Sequence, residues 1–245
     1  MKKLLIATSL SAALFASFNA SAGSDVTLKV IGSIVPGACV PTLPNGGTID
    51  YGTLRNEAIA PTGVTNKLVQ LGQKSMTLTV TCDNEIAVAV TSSDNRSSSN
   101  VGLNSTNSYI EDGYDNGATD VHATSNGFGL GTTTNSVNIG AYSIAFDTTA
   151  ATADSTAVDV ITTDDVNATT VTWAASNGAF CSLTSGCGAA ARALTVAEKG
   201  SLTPKAFKVL TAPMVISAAV QDNSVLGTDD TITLDGNATI SLVYL

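Results

Sequence analysis

The chain has 245 residues, a formal net charge of −9, one histidine and four cysteines. An acidic chain with no basic cluster repels phosphate backbones, which excludes nucleic acid as a partner. Only 13% of the residues are charged, and Thr, Ser, Ala, Val and Gly abound; this is a composition of strands and turns and fits a helical enzyme badly.

In chain order, Lys2 and Lys3 precede an apolar stretch over residues 4–18 and the small-residue site Ala20-Ser21-Ala22. That is a secretory signal of bacterial type, removed after residue 22. Its apolar part is too short to span a bilayer, and no later segment has 18 unbroken apolar residues, so no membrane span is expected. Residues 23–245 then form a single domain. Residues 26–35 read as a strand ended by Pro36-Gly37, the stretch 44–47 as a turn, and residues 47–54 as a short strand. Met76, Leu78 and Val80 alternate in the run that closes at Cys82, and Asp83-Asn84 turns the chain into residues 86–91, predicting a hairpin. Residues 92–127 read mostly as loop and 137–146 as a strand. Residues 148–170 read as a surface excursion holding at most one strand, and Val171-Thr-Trp173 as a brief pairing. Around Pro213 the run 206–220 is strand-like, and the proline places it at an edge or a bulge. The last run, 231–244, kinks at Asp235-Gly236. There Ala238, Ile240, Leu242 and Tyr244 alternate with Thr239, Ser241 and Val243, the period of a half-buried strand. Strands separated by turn signals define an all-β sandwich with long loop insertions.

An even number of cysteines behind a signal peptide implies disulfides. Three pairings of Cys39, Cys82, Cys181 and Cys187 exist. The five residues between Cys181 and Cys187 close easily into a loop, which leaves Cys39 to pair with Cys82 and staple two early strands. Zinc is not expected, since there is no Cys-x-x-Cys and a single histidine.

Catalytic chemistry finds no support. His122 sits in a polar stretch with no cysteine nearby, and no Gly-x-Ser-x-Gly elbow accompanies it. The glycines of residues 127–131 lack the spacing and the following Lys-Ser/Thr of a phosphate loop and read as a strand-edge turn. The acidic run 111–120 lacks the register of a calcium loop. The paired acids Asp164-Asp165 and Asp229-Asp230 have no aromatic cleft around them, Trp173 being the one tryptophan. The expectation is a protein that is no enzyme, with no cofactor and no metal.

The segment that leads from Gly32 to Cys39, then Pro41, Gly46-Gly47 and Asp50-Tyr-Gly52, resembles the start of a fimbrial subunit. More closely, Pro36-Gly-Ala-Cys39, Asn66-Lys-Leu-Val-Gln-Leu-Gly72, Thr91-Ser-Ser-Asp-Asn-Arg96, Phe128-Gly-Leu-Gly131, Gly178-Ala-Phe-Cys-Ser-Leu-Thr184, Leu234-Asp-Gly236 and Val243-Tyr-Leu245 resemble the GltF-like family of periplasmic proteins with fimbrial-subunit-like features. This resemblance spans essentially all of the chain beyond residue 22. It implies an immunoglobulin-like or pilin-like sandwich in the periplasm or on a surface fimbria. The partners it implies are a periplasmic chaperone, an usher or other fimbrial subunits, bound by strand addition. The family's name also implies a soluble factor linked to glutamate-synthase regulation and nitrogen metabolism, though no residue explains such a link. For strand exchange the interaction strand is Ala238, Ile240, Leu242 and Tyr244, with Ile240 and Leu242 buried. Only three residues lie between Ala22 and Val26, a reach of about 10 Å, so the chain is expected to give no strand of its own to a neighbour.

Overall fold

The computed structural model describes residues 28–33, 37–61, 63, 65–114, 119–182, 186–187, 192–227 and 231–245. The signal peptide over residues 1–22 and the acids Asp229-Asp230 lie outside the described residues. Two compact units are present, residues 1–36 and 37–245.

Within the first unit, residues 28–33 carry no strand. Leu28, Val30 and Ile31 are 86%, 87% and 80% exposed. Alternation alone had predicted a strand here. A strand also needs a ladder partner, and these residues have none among the described elements.

The second unit is built of β1 (Cys39–Thr42), β2 (Leu68–Ile86), β3 (Val88–Asp94), β4 (Ile110–Tyr114), β5 (Thr119–Val121), β6 (Phe128–Gly129), β7 (Gly140–Phe146), β8 (Thr152–Ala153), β9 (Thr156–Ala157), β10 (Asp159–Thr163), β11 (Ala174–Ala175), β12 (Ala193–Ala197), β13 (Phe207–Gln221) and β14 (Ala238–Tyr244). A seven-stranded sheet runs β1-β2-β13-β7-β6, with β8 on β13 and β9 on β8; a five-stranded sheet runs β11-β10-β12-β3-β14; β4 and β5 form a separate hairpin. Every pairing between these strands is antiparallel. Met76, Leu78 and Val80 of β2 and Met214 of β13 share one buried cluster with Val88 and Val90 of β3 and Leu194 and Val196 of β12. The two sheets therefore close on a common core, an all-β sandwich. Phe146 meets Phe180 edge-on within it at 4.7 Å.

Several elements depart from the sequence pattern for physical reasons. Asp83-Asn84 does not turn the chain. β2 continues through it, because Ala38 O accepts from Asp83 N (3.0 Å) and Ile86 still pairs with Phe207. The chain changes sheets only at Ala87, so β2 and β3 belong to opposite layers rather than to a hairpin. Residues 47–54 hold no strand; short 3-10 turns at Pro44–Gly47 and Asn56–Ile59 bracket an irregular run. Residues 92–127 are less of a loop than expected, since they carry β4 and β5. Residues 148–170 are no surface excursion: Val160 and Ile161 of β10 are buried between β11 and β12. Pro213 lies in a central strand, opposite Thr77. Its carbonyl accepts from Asp147 N (2.8 Å) just where β7 ends and before β8 begins. The missing amide therefore faces a break in the ladder. Gly72 takes φ of 79° at the bulge opposite Ala218/Ala219, a conformation that favours glycine.

Candidate functional site

The last strand, β14, pairs with β3 over its whole length, from Ala238↔Asp94 to Tyr244↔Val88. Leu245 N donates to Ala87 O and Asn95 N to Asn237 O. These two bonds fix the antiparallel alternation: odd-numbered residues of β14 bond to β3, and the N–H and C=O groups of Ala238, Ile240, Leu242 and Tyr244 point the other way. On that side no described strand pairs with β14. The side chains of Ala238, Ile240 and Leu242 pack against the core but remain half-buried, which corrects the expectation that Ile240 and Leu242 are buried. Tyr244 is 53% exposed. The reason is positional: β14 is an edge strand, and nothing described covers its second side.

Beside that edge lies a groove of about 1090 Å³. Its floor is the inner face of the larger sheet, with Met76, Ile144, Met214 and Ile216. One wall is the irregular run 43–59, the other residues 231–240. The first wall is pinned by Tyr51, whose hydroxyl lies 3.0 Å from Ile216 O and 3.3 Å from Gly72 O, able to donate to either. Burial pushes that phenol up to about 12, so it stays a donor. Lys74 Nζ sits 5.8 Å over its ring. The far end of the same wall is tied by Asn223 Nδ2, which donates to Asn56 O (3.1 Å) and Oδ1 (2.7 Å).

The second wall is anchored where Asp235 N donates to Leu130 O (2.9 Å) and Arg96 pairs with the Asp235 carboxylate (2.7 Å). Gly236 is the kink expected from the sequence. A Cβ there would stand 2.8 Å from the Tyr142 ring and 3.1 Å from Leu130, so the close approach requires glycine. At the far end of β14, Cys39 N donates to the Tyr244 hydroxyl (2.9 Å) and ties the start of β1 to the end of the last strand.

Cys39 bonds to Cys82 and Cys181 to Cys187, the pairings expected from spacing. The first joins directly opposed residues of β1 and β2. Two such bridges belong to a chain that matures in an oxidising compartment.

The other candidates stay apart from the groove. His122 is partly exposed, its ring 4.8 Å from that of Tyr109 and its Nε2 3.9 Å from Asp120. Asp164 is engaged by Arg192 (3.0 Å). Phe128 and Gly129 form β6, on the rim of the larger sheet, as the strand-edge reading of residues 127–131 expected. No described helix is long and apolar enough to cross a membrane. Asp50 is the one charged residue among the described residues lining the groove. An apolar slot edged by free backbone amides is suited to hold an extended peptide.

The fold and groove define a class: a disulfide-bridged β-sandwich whose last strand has an uncovered edge. Comparison with known proteins narrows it. The chain is 50% identical to Protein GltF of Escherichia coli (strain K12), covering all of this chain and 99% of that protein. It is 29% identical to the Uncharacterized protein YhcF of the same organism, over 99% of this chain and 98% of that one. Residues 28–143 match the family described as Protein of unknown function (DUF1120). The chain belongs to the GltF-like family.

Proposed function

We propose that this is an exported, non-enzymatic periplasmic protein of fimbrial-subunit type, whose activity is to take up an extended strand in the groove beside β14. The uncovered edge of β14 carries this reading. The backbone groups of Ala238, Ile240, Leu242 and Tyr244 face a slot floored by apolar side chains, and a slot of that form is completed by a strand. A periplasmic chaperone, an usher or another fimbrial subunit is the class of partner such a groove serves.

The test is amide exchange on the purified chain with and without a ten-residue peptide of alternating apolar and polar residues. Strand uptake slows exchange at Ile240 and Leu242 and leaves Ser241 and Val243, already bonded to β3, as they were. Unchanged exchange with every strand peptide tried would sink the reading.

The name of the GltF relative raises a second reading, a soluble factor in nitrogen regulation. The groove argues against direct recognition of glutamate. Its one charged lining residue among those described is the acid Asp50, and a dicarboxylate bound there would meet like charge with no cation to offset it.

A further inference from the structure

We infer that the strand that fills the groove is residues 26–35 of a second copy of this chain. The inference rests on the groove reading above and names its occupant. Leu28, Val30 and Ile31 are the three most exposed large hydrophobic residues described, and a cluster of that kind marks an interaction segment. In an extended conformation Val26, Leu28, Val30, Gly32 and Ile34 share one face, while Thr27, Lys29 and Ser33 fall on the other with Ile31 and Val35. Ten residues span about 33 Å, enough to run the length of β14, about 24 Å for seven residues, and to continue along the wall formed by residues 231–237. Charge also matches. Lys29 is the one charged residue of the segment, and Asp50 is the one charged residue among the described residues lining the groove.

The path of the chain at Gly37 favours a neighbour's groove over the chain's own. Ala38 is held against Asp83 by a pair of hydrogen bonds, and a Cβ on Gly37 would strike Ile86. Traced from Cys39 toward the N-terminus, the backbone therefore advances along β2 toward Ile86, away from Met76 on the groove floor. Entering its own groove would require a full reversal within Pro36 and Gly37. A chain that gives a strand from one end and accepts one at another surface makes a heterologous contact, which grows as an open head-to-tail series unless the rotation closes. The segment is thus a donor, contrary to the expectation that this chain gives none. That expectation placed residues 26–35 inside the sandwich, where residues 28–33 form no strand.

The test is sedimentation of the purified mature chain across a hundredfold range of concentration. The wild type is expected to form a series of oligomers that lengthens with concentration. Leu28→Asp/Val30→Asp is expected to remain monomeric with an unchanged melting temperature. Ile240→Gln/Leu242→Gln blocks the acceptor, and an equimolar mixture of the two variants should stop at a one-to-one dimer. Should the acceptor variant fail to fold, excess peptide of residues 26–35 added to wild type gives the same answer by capping growth and shortening the oligomers. The inference is overturned if the double Asp variant assembles like wild type. It is equally overturned if wild type stays monomeric with Ile240 and Leu242 amides protected and the Asp variant melts lower, for the segment then fills its own groove. Protection of β14 by a foreign alternating peptide but not by peptide 26–35 would remove this inference and leave the groove reading intact. Protection by neither removes both.

Discussion

Asp94 and Tyr51 show how single side chains set the limits of the groove. Asp94 ends β3 and accepts from Arg96 N (2.8 Å) and Gly129 N (2.9 Å). Burial nonetheless holds its carboxyl above the ordinary value of 3.8, against the pull of those amides and of the Arg96 charge. The folded state thus binds this proton more tightly than the unfolded chain does. Its contribution to stability is greatest below the ordinary value and declines as pH rises through the raised one. Asp94→Asn removes that decline. In thermal unfolding from about pH 3 to about pH 6, the stability of the variant relative to wild type should rise with pH, on top of a constant loss from the forfeited hydrogen bond. A difference independent of pH would contradict this account. Tyr51→Phe deletes the hydroxyl that pins the wall 43–59 to Ile216 and Gly72. The expected cost is about 1 kcal/mol in denaturant unfolding, with faster exchange confined to residues 43–59 and their bonded neighbours.

Among the elements, β14 is the one whose behaviour the ladder fixes most sharply. In the monomeric Leu28→Asp/Val30→Asp protein, the amides of Ser241 and Val243 should exchange slowly and those of Ile240 and Leu242 fast, a two-residue rhythm along one strand. Uniform protection would mean that something already covers the edge. Ile240→Asp, at a half-buried position, should cost less than a fully buried charge, about 1–3 kcal/mol, and should leave a cooperative transition. The alternation that defines β14 was legible in the sequence, and so were the bridge pairings, because short spacing and period two are local signals. Two central strands were not. β10 and β12 are buried on both faces, so they carry no alternation, and their Ala and Thr content resembles the loops around them. Residues 26–35 failed in the opposite way. Alternation states how a segment pairs when a partner is present, and says nothing of whether that partner is in the same chain. The groove itself was invisible for a related reason, since its two walls come from residues 43–59 and 231–240, which only the tertiary fold brings together.

Across the whole molecule, the two bridges differ in what they restrain. Cys39–Cys82 closes a loop with a separation of 43 residues and Cys181–Cys187 one of 6. On the chain-entropy account these contribute about 4 and about 2.5 kcal/mol. Replacing the first pair by alanine should therefore lower the unfolding free energy more than replacing the second, and should free β1 along with the Cys39–Tyr244 tie. An equal or reversed ranking in denaturant titrations would show that native-state strain outweighs loop entropy. The pairing of β3 with β14 has a further consequence, for the order of events in time. Thr91 meets Ser241 across 150 residues, and β2, the longest strand, must wait for β13 to cover its inner flank. A chain emerging from a translocation pore N-terminus first has its early strands ready long before their partners arrive. Closing such distant pairs is entropically slow, so the emerging chain spends that interval with β2 unpaired and prone to aggregate, and a holding factor that shields β2 should raise its yield more than its final stability.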